Sequence, residues 1–231
     1  MRDAALRLVS RAGRAVAGRE AVLVAALLLF GGLWTFGVLA EDLLTGDPLV
    51  QVDQRVAGWL HDRATQGLTT AFEAVTTLGS AGVLVPLTLV VVLALLVRTK
   101  RAEALFLTLV LVGAEGLTLI LKAGFERQRP FFPDPLATES SFSFPSGHAT
   151  VSLAVYGALG FLLARRSSSW RGRALWLAAA AGLVLLIGAS RLVLGVHFLS
   201  DVLAGYSAGL VWLVACAVGI FRSPRRSDER G

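Results

Sequence analysis

Long apolar runs alternate with short charged segments along the chain. A membrane-spanning helix needs roughly 20 apolar residues, because its backbone must satisfy its own hydrogen bonds inside hydrocarbon. Six runs approach or reach that length, so the sequence predicts an all-α integral membrane bundle of six transmembrane helices. The predicted spans are residues 21–40, 80–97, 104–121, 149–164, 174–190 and 202–221, and the fourth is expected to begin near Gly147.

The stretch between the first two spans, residues 41–79, mixes apolar and polar side chains. Trp59, Leu68 and Phe72 are among its apolar residues, a pattern typical of helices that lie at a membrane surface. We expect a short interfacial helical segment there, with one or two helices. The predicted organisation is a basic N-terminus (1–20), a six-span domain (21–221) and a basic tail (222–231).

The first span has an alternative interpretation. Arg19, followed by an apolar run that ends in Val38-Leu39-Ala40, resembles a secretory signal peptide with a small-residue cleavage site. The run is longer than the apolar region of such peptides, about 7 to 15 residues, and this favours a retained span. Cleavage would leave five spans and the same outer face.

Composition excludes a soluble globular protein. Of the 231 residues, 55% are hydrophobic and 16% are charged, and the mean hydropathy is +0.69. A single cysteine and the lack of clustered Cys and His exclude an internal disulfide framework and a zinc site of the usual kind. The net charge of +6 does not indicate nucleic acid binding, because the basic residues lie in short clusters between apolar runs.

The 22 lysines and arginines are distributed unevenly between the two membrane faces. Five precede the first span, three join the second and third, four join the fourth and fifth, and four follow the sixth; six lie in the other connections. The protein is predicted to lie in the cell membrane. Because basic residues resist translocation, both of its termini are predicted to be cytoplasmic. The remaining connections then lie on the extracytoplasmic face.

Three polar clusters lie at the ends of spans, all on the predicted extracytoplasmic face. Polar and ionisable residues near a membrane core are costly, so each cluster is a functional candidate. The clusters are Lys122 to Arg129-Pro130 after the third span, Pro145-Ser146-Gly147-His148 at the start of the fourth, and Ser190-Arg191 with His197 and Asp201 between the fifth and sixth.

The cations of these clusters suit a dianionic phosphoryl group. Arginine presents a planar fork that matches phosphate oxygens, and lysine adds a compact charge. Ser146 and Gly147 precede an apolar helix, so a hydroxyl and backbone N–H groups are expected to add an anion-binding helix N-terminus. The candidate phosphate-binding residues are Lys122, Arg129, Ser146, Gly147 and Arg191. We expect no metal and no cofactor, because the basic side chains neutralise the phosphate.

Two of the three histidines in the chain lie in these clusters. His197 and Asp201 are four residues apart, so they share a helix face if the sixth helix begins by about residue 197. The carboxylate is then able to orient the imidazole, which attacks phosphorus to give a phosphohistidine. His148 is the candidate general acid that protonates the leaving alkoxide and later activates water.

Together, these motifs resemble the type 2 phosphatidic acid phosphatase superfamily, whose active site is similar to those of vanadium haloperoxidases and bacterial acid phosphatases. The pattern Lys-x6-Arg-Pro, Pro-Ser-Gly-His and Ser-Arg-x5-His-x3-Asp is complete and in order between residues 122 and 201. The resemblance implies His197 as nucleophile, Asp201 as its orienting acid and His148 as general acid, and it implies phosphate binding by the five residues above. Many relatives have Arg-Pro-Arg-Pro where this chain reads Arg127-Gln128-Arg129-Pro130.

Other polar residues receive plainer interpretations. Arg127 is interpreted as part of an interfacial collar of basic side chains, and His61 as a solvated surface residue. Glu115 lies inside the third span, two turns from Lys122, where it can pair with a cation or with another helix. Three glycines of the last span are expected to allow close helix contacts: Gly205, Gly209 and Gly219.

The sequence therefore predicts a metal-independent membrane phosphatase that hydrolyses a lipid phosphate or diphosphate monoester at the outer face. Phosphatidic acid-type lipids and undecaprenyl diphosphate are the main candidate substrates, and the sequence does not indicate an oligomeric state. A transporter would distribute charges through the membrane depth, and a catalytically silent lipid-phosphate-binding relative would lack a histidine or a cation. A vanadate-dependent peroxidase would share the anion pocket, but a lipid-embedded site disfavours it.

Overall fold

The computed structural model describes residues 2–46 and 48–222. Within them the chain forms eight α-helices and no β-strand, which confirms the all-α class. The helices are α1 (Arg2–Thr45), α2 (Pro48–His61), α3 (Gln66–Thr77), α4 (Ala81–Val97), α5 (Arg101–Phe125), α6 (Gly147–Arg166), α7 (Trp170–Val193) and α8 (Leu199–Phe221).

Six segments of the described chain are long and apolar enough to cross a membrane, in agreement with the six predicted spans. Most extend a few residues beyond the predicted ranges, because polar residues continue the helices past the apolar runs. The segments are Arg19–Thr45, Gln66–Val97, Arg101–Phe125, Gly147–Arg166, Trp170–Val193 and Leu199–Phe221.

The second span differs most from its predicted range of 80–97. It begins at Gln66, because α3 and α4 together form one apolar segment of 32 residues, interrupted only at residues 78–80. The one or two short helices predicted before residue 80 are present as the separate elements α2 and α3, and α2 carries Asp53.

Helix α6 lies at the centre of the bundle, where it packs against α5, α7 and α8. Its buried residues are mostly small, so neighbouring backbones approach closely. A Cβ atom on Gly205 of α8 would lie 2.7 Å from the carbonyl oxygen of Ser146, and one on Gly209 would lie 2.5 Å from that of Thr150. The expected close contacts are confirmed for these two glycines, whereas Gly219 has no such neighbour within the described residues.

A second apolar cluster fixes the connection between α5 and α6. Phe144 is fully buried and packs against Leu39 of α1 and Ala204 of α8. Its ring also lies 4.8 Å from that of Phe125 and 5.7 Å from that of Phe36, measured between centroids. This packing anchors residues 126–146, the connection that carries much of the polar site.

Candidate active site

The candidate site lies where α5 and α7 end and α6 and α8 begin. Helix α5 ends at Phe125, and Glu126 adopts a left-handed conformation with φ of 47° that turns the chain out of the helix. The residues predicted for the site lie on these four helix ends and on the two connections between them. The arrangement therefore brings residues 122 to 201 of the motifs to one end of the bundle.

His197 and Asp201 approach each other at the start of α8. The His197 Nδ1 atom lies 3.4 Å from Asp201 Oδ2, a long contact. The helix begins at Leu199 rather than by residue 197, so the pairing does not arise from a shared helix face as expected. It arises from helix capping, because the Asp201 carboxylate turns back to accept the Phe198 backbone N–H at 2.8 Å.

The other ring nitrogen of His197 faces Arg129. Arg129 Nη1 lies 3.1 Å from His197 Nε2 and also donates to the carbonyl oxygen of Val196 at 2.6 Å. A proton on Nδ1, directed to Asp201, and a lone pair on Nε2 satisfy both neighbours. Burial lowers the pKa of His197 to about 4, although its hydrogen bond with Asp201 acts in the opposite direction. The imidazole is therefore neutral, with Nε2 unprotonated, near neutral pH.

Two of the candidate phosphate-binding cations contact neutral oxygens. Lys122 Nζ donates to Ser141 Oγ at 2.9 Å and to the carbonyl oxygen of Phe142 at 2.6 Å. Arg129 Nε donates to the carbonyl oxygen of Ser141 at 2.7 Å. Partial burial and the charge of Arg191 lower the pKa of Arg129 from its usual value, although nearby carboxylates oppose the change. Neither cation has a carboxylate among its hydrogen-bond partners within the described residues.

Arg191, the third cation, is buried at the end of α7. Its Nη1 donates to Thr76 Oγ1 of α3 at 2.7 Å, and its Nη2 contacts the Glu139 carboxylate. Partial burial acts to raise the pKa of Glu139, but Arg191 outweighs that effect and holds the pKa below its usual value. The Nε–H of Arg191 is buried and has no partner among the described residues. That donor is available to an anion.

The Pro-Ser-Gly-His segment forms the start of α6. The Ser146 backbone N–H donates to the carbonyl oxygen of Asp201 at 3.0 Å, and Ser146 Oγ caps the helix by accepting the Ala149 N–H at 3.5 Å. Gly147 and His148 are the first helical residues, so their N–H groups have no intrahelical acceptor. They form the expected helix N-terminus beside the cations, whereas Ser146 is fully buried.

His148 is partly buried, and its ring packs closely against the backbone of Gly79. A Cβ atom at position 79 would lie 3.2 Å from His148 Cδ2 and 2.5 Å from Ile187 Cγ2. The glycine between α3 and α4 therefore leaves the space that the histidine ring uses. The short Thr77-Leu78-Gly79-Ser80 segment thus contributes to the site although it carries no reactive side chain.

The interpretation of Arg127 as an interfacial collar is wrong. Its side chain is only 8% exposed, and its Nη1 contacts Asp201 Oδ1 at 2.6 Å while its Nη2 contacts Asp53 Oδ2 at 2.8 Å. Asp53 in α2 is itself buried and was not recognised as a site residue. No local signal identifies this pairing, because the two residues are 74 positions apart in the chain.

Two further expectations are tested by the contacts of the side chains. His61 is not a solvated residue: its ring stacks on Phe132 at 4.0 Å, and its Nε2 lies 3.1 Å from Asp134 Oδ1. The side chain is 13% exposed as a result. Glu115 is partly buried in α5, and its carboxylate makes no ion pair or hydrogen bond within residues 2–46 and 48–222.

Ser143 is a further residue of the site, and no motif in the sequence marks it. Its hydroxyl contacts the same Asp201 oxygen that faces His197, so it shares the orienting carboxylate with the imidazole. Ser141 and Glu139 from the same connection contact the cations, and only the folded loop shows that they do so. In the part of the chain that the structure describes, no group of three His, Cys, Asp or Glu side chains is arranged to hold a metal ion.

These features define an integral membrane protein with three cations beside an oriented histidine. The family model of the PAP2 superfamily matches residues 103–225, slightly more than half of the chain. Phosphatidylglycerophosphatase B of Bacillus subtilis is 33% identical over 186 residues, which cover 80% of this chain and 86% of that protein. Lipid A 1-phosphatase of Rhizobium johnstonii is 33% identical over 143 residues, or 53% of this chain and 54% of that protein.

A solved structure shows the same architecture. The crystal structure of a transmembrane PAP2 type phosphatidylglycerolphosphate phosphatase from Bacillus subtilis matches with a TM-score of 0.80 and 28% identity. The match covers 87% of this chain and 100% of that chain. The chain belongs to the PAP2 superfamily, as its motifs implied, and within it to the membrane lipid phosphatases. It is therefore a lipid phosphate hydrolase.

Proposed function

We propose that the enzyme hydrolyses a terminal phosphate monoester of a glycerophospholipid through a phosphohistidine on His197, without a metal ion, at the extracytoplasmic membrane face. The observation that carries this proposal is the surroundings of His197. Its Nδ1 is directed to Asp201, and its Nε2 lies 3.1 Å from Arg129, one of three cations in the site. A nucleophilic lone pair therefore points toward the place where a phosphate dianion is expected to bind.

In the first step His197 Nε2 attacks phosphorus, and the bond between phosphorus and the lipid oxygen breaks. His148 gives a proton to that leaving oxygen, so a lipid alcohol departs. The Nδ1–H of the phosphorylated imidazole carries positive charge, which the Asp201 carboxylate stabilises. The neutral His197 indicated by its low pKa is the form that this attack requires.

In the second step a water molecule attacks phosphorus and the P–N bond breaks. His148, now unprotonated, removes a proton from the water, and inorganic phosphate leaves. Throughout both steps the equatorial oxygens accumulate charge that Lys122, Arg129 and Arg191 are placed to stabilise. The unpartnered Nε–H of Arg191 and the N–H groups of Gly147 and His148 are further donors for these oxygens.

The proposed face follows from the distribution of charge. The site ends of α5, α6, α7 and α8 lie opposite the connections that hold most lysines and arginines. Because basic connections remain in the cytoplasm, both termini are assigned to the cytoplasm and the site to the other side of the cell membrane. A headgroup is then able to reach the helix ends while its acyl chains stay in hydrocarbon.

The choice of a glycerophospholipid rests on the relatives. The Bacillus subtilis relative, whose match covers 80% of this chain, acts by its name on phosphatidylglycerophosphate, and a relative whose match covers 53% of this chain acts by its name on lipid A. Phosphatidylglycerophosphate is therefore the first substrate to test. Phosphatidic acid and undecaprenyl diphosphate are the alternative candidate substrates.

The test is phosphate release by purified protein in detergent with EDTA, from each of the three lipids. We expect the glycerophospholipid monoesters to be hydrolysed faster than undecaprenyl diphosphate, and His197→Gln to abolish release from all three. Brief mixing with ³²P-labelled substrate is expected to label the wild type with an acid-labile, base-stable phosphoryl group and to leave His197→Gln unlabelled.

His61→Gln is the matched control, since it removes the third histidine without touching the site. The proposal is contradicted if His197→Gln retains activity, or if EDTA abolishes release and added metal restores it. Binding of the lipids without any release by folded wild type would instead indicate a silent lipid-binding protein.

A further inference from the structure

A chain of ionised side chains lies behind His197, on the side away from the phosphate-binding cations. Asp201 contacts Arg127 at 2.6 Å, and Arg127 contacts Asp53 at 2.8 Å. Asp201 belongs to the third motif, and Arg127 lies within the first, Lys122 to Pro130. Asp53 lies in α2, outside the segment that the family model matches.

Asp53 is buried and hydrogen-bonded, as Asp201 is. It is 1% exposed, and besides Arg127 its carboxylate accepts the Ser200 backbone N–H at 3.0 Å and contacts the Ser200 hydroxyl. Burying a carboxylate is costly unless it is paired and hydrogen-bonded. Here every contact leads to Arg127 or to Ser200, the residue immediately before Asp201.

The number of charges in this cluster matters for the reaction. Two carboxylates, Asp53 and Asp201, share the single guanidinium of Arg127, so the cluster carries one net negative charge beside the His197 ring. Without Asp53 the guanidinium would neutralise Asp201 alone. A neutral pair would stabilise a positively charged imidazole less than a cluster that retains a negative charge. The attraction between the cluster and the imidazolium is stronger in a buried site than in water, so the difference is large enough to matter.

We propose that Asp53 is a positioning residue of the active site, which acts through Arg127 to leave Asp201 free to stabilise the cationic imidazole of His197. Asp53 touches neither substrate nor His197, so its effect is exerted through the guanidinium. This inference rests on the proposed function, since it requires His197 to become cationic during phosphoryl transfer. It assigns part of the catalytic apparatus to α2, the helix between the first two spans.

Other charged groups also face His197, and they are unchanged in every variant used in the test. Arg129 contacts its Nε2 from the connection after α5, Asp201 contacts its Nδ1 from α8, and Arg191 acts on it from the end of α7. His148 interacts with it from the start of α6. None of them is altered when Asp53 or Arg127 is replaced.

The test uses the full-length protein in detergent with dioctanoyl phosphatidic acid, and compares kcat, KM and the pH dependence of kcat/KM. The acid limb of that profile reports ionisations of the free enzyme.

Asp53→Asn keeps the shape of the side chain and removes its charge. We expect kcat to fall by about 10-fold, as for other residues that orient a functional histidine from behind. KM should remain within about twofold, because the phosphate-binding residues are unchanged. The acid limb should move to lower pH, because the imidazolium form of His197 has lost a stabilising negative charge.

Further variants test the direction in which the acid limb of the pH profile moves. Arg127→Gln leaves two carboxylates without their cation, so the acid limb should move to higher pH. The double variant Asp53→Asn/Arg127→Gln restores one net negative charge, so its limb should return toward that of the wild type. Ser200→Ala removes a contact of Asp53 without changing any charge, and it should leave the limb in place.

Asp62→Asn is the control for removal of an acid near the same helix. The inference is overturned if folded Asp53→Asn keeps the kcat and the acid limb of the wild type, or if its limb moves upward. It is equally overturned if the double variant shows no return. Should Asp53→Asn alone not fold, the comparison of Arg127→Gln with the double variant decides the question, because these two differ only in the charge of Asp53. Activity retained by His197→Gln would overturn the proposed function instead, whatever Asp53→Asn shows.

Discussion

The two sides of the His197 ring are built differently. Behind it, Asp53, Arg127 and Asp201 form a buried cluster in which each ionised group contacts an oppositely charged one. In front of it, Lys122 and Arg129 contact hydroxyl and carbonyl oxygens, and only Arg191 contacts a carboxylate, that of the exposed Glu139. Each ionised group of the rear therefore has an oppositely charged partner, whereas Lys122 and Arg129 at the front have none among their hydrogen-bond partners in the described residues.

In the proposed mechanism, this difference separates the positioning of His197 from the binding of phosphate. The front carries three cations and one carboxylate, so two positive charges remain, which match a phosphate monoester dianion. The rear fixes the tautomer and orientation of the ring by groups that do not need to move. Perturbing the rear should change the chemical step, and perturbing the front should change the interaction with phosphate.

The largest effect is expected from breaking the rear at Asp201. Asp201→Asn removes the carboxylate that orients His197 and stabilises its cationic form, so kcat should fall by roughly 10⁴-fold. Phosphate release from phosphatidic acid, measured with thermal unfolding of the same preparation, checks this. A reduction of less than 10-fold in folded protein would be inconsistent with the role given to this carboxylate.

A smaller effect is expected from breaking the front at Arg191. Arg191→Gln removes the buried Nε–H donor and one positive charge, so kcat/KM should fall by about 10²- to 10³-fold, as for loss of one donor to a transition-state oxyanion. Arg171→Gln, at the exposed start of the same helix, is the control. Inhibition by orthovanadate should weaken in parallel with kcat/KM, and unchanged inhibition would argue against a role for Arg191 in binding phosphate.

A third prediction concerns the space in front of His148. Gly79→Ala places a methyl group 3.2 Å from His148 Cδ2 and 2.5 Å from Ile187 Cγ2, so one of these side chains must shift. Displacement of a general acid should lower kcat by roughly 10- to 100-fold. Gly82→Ala, whose Cβ would meet only Ser80 Oγ at 3.7 Å, should be nearly silent. Equal activity of the two variants would show that His148 tolerates the displacement.

The smallest effect is expected at Glu139, which contacts Arg191 in the absence of phosphate. Glu139→Gln removes a carboxylate that competes for the cation, so inhibition by inorganic phosphate should strengthen by about two- to fivefold. Because the pKa of Glu139 is lowered, the carboxylate stays ionised at and above its ordinary pKa of 4.5, and the difference should vanish only in more acidic solution. Glu126→Gln is the control from the same connection, and weaker inhibition in Glu139→Gln would contradict the competition.

The sequence alone predicted the front of the site well and the rear poorly. The front consists of motif residues beside apolar runs, where cations such as Lys122 and Arg129 are conspicuous because charge is rare near the membrane. The rear depends on Arg127, which looks like any other basic residue at a helix end. Its partner Asp53 lies in a segment of mixed polarity, where one more acid carries no signal. The pairing follows only from how α2 packs beside α8.

The number of spans and their bounds also differ in how well the sequence predicts them. Their number follows from the lengths of apolar runs, since hydrocarbon thickness sets a minimum that few other structures satisfy. The apolar segment before the second span is harder to see in the sequence, because threonines and Glu73 make α3 mixed in polarity. The turn at residues 78–80 is nevertheless the place where Gly79 meets His148. Local hydropathy therefore does not reveal that the turn between α3 and α4 lies at the site.

The close backbone contact of α6 and α8 determines how far apart the two histidines are. Gly205 and Gly209 let α8 approach the carbonyl groups of Ser146 and Thr150, and a Cβ atom on either glycine would lie within 2.7 Å of one of these oxygens. Changes in bilayer thickness alter the tilt of helices. They do not lengthen a contact that is already at the van der Waals limit, and His148 lies at the start of α6 while His197 lies two residues before the start of α8. The reaction geometry should therefore be the same in thin and thick bilayers, even where the rate of lipid access differs.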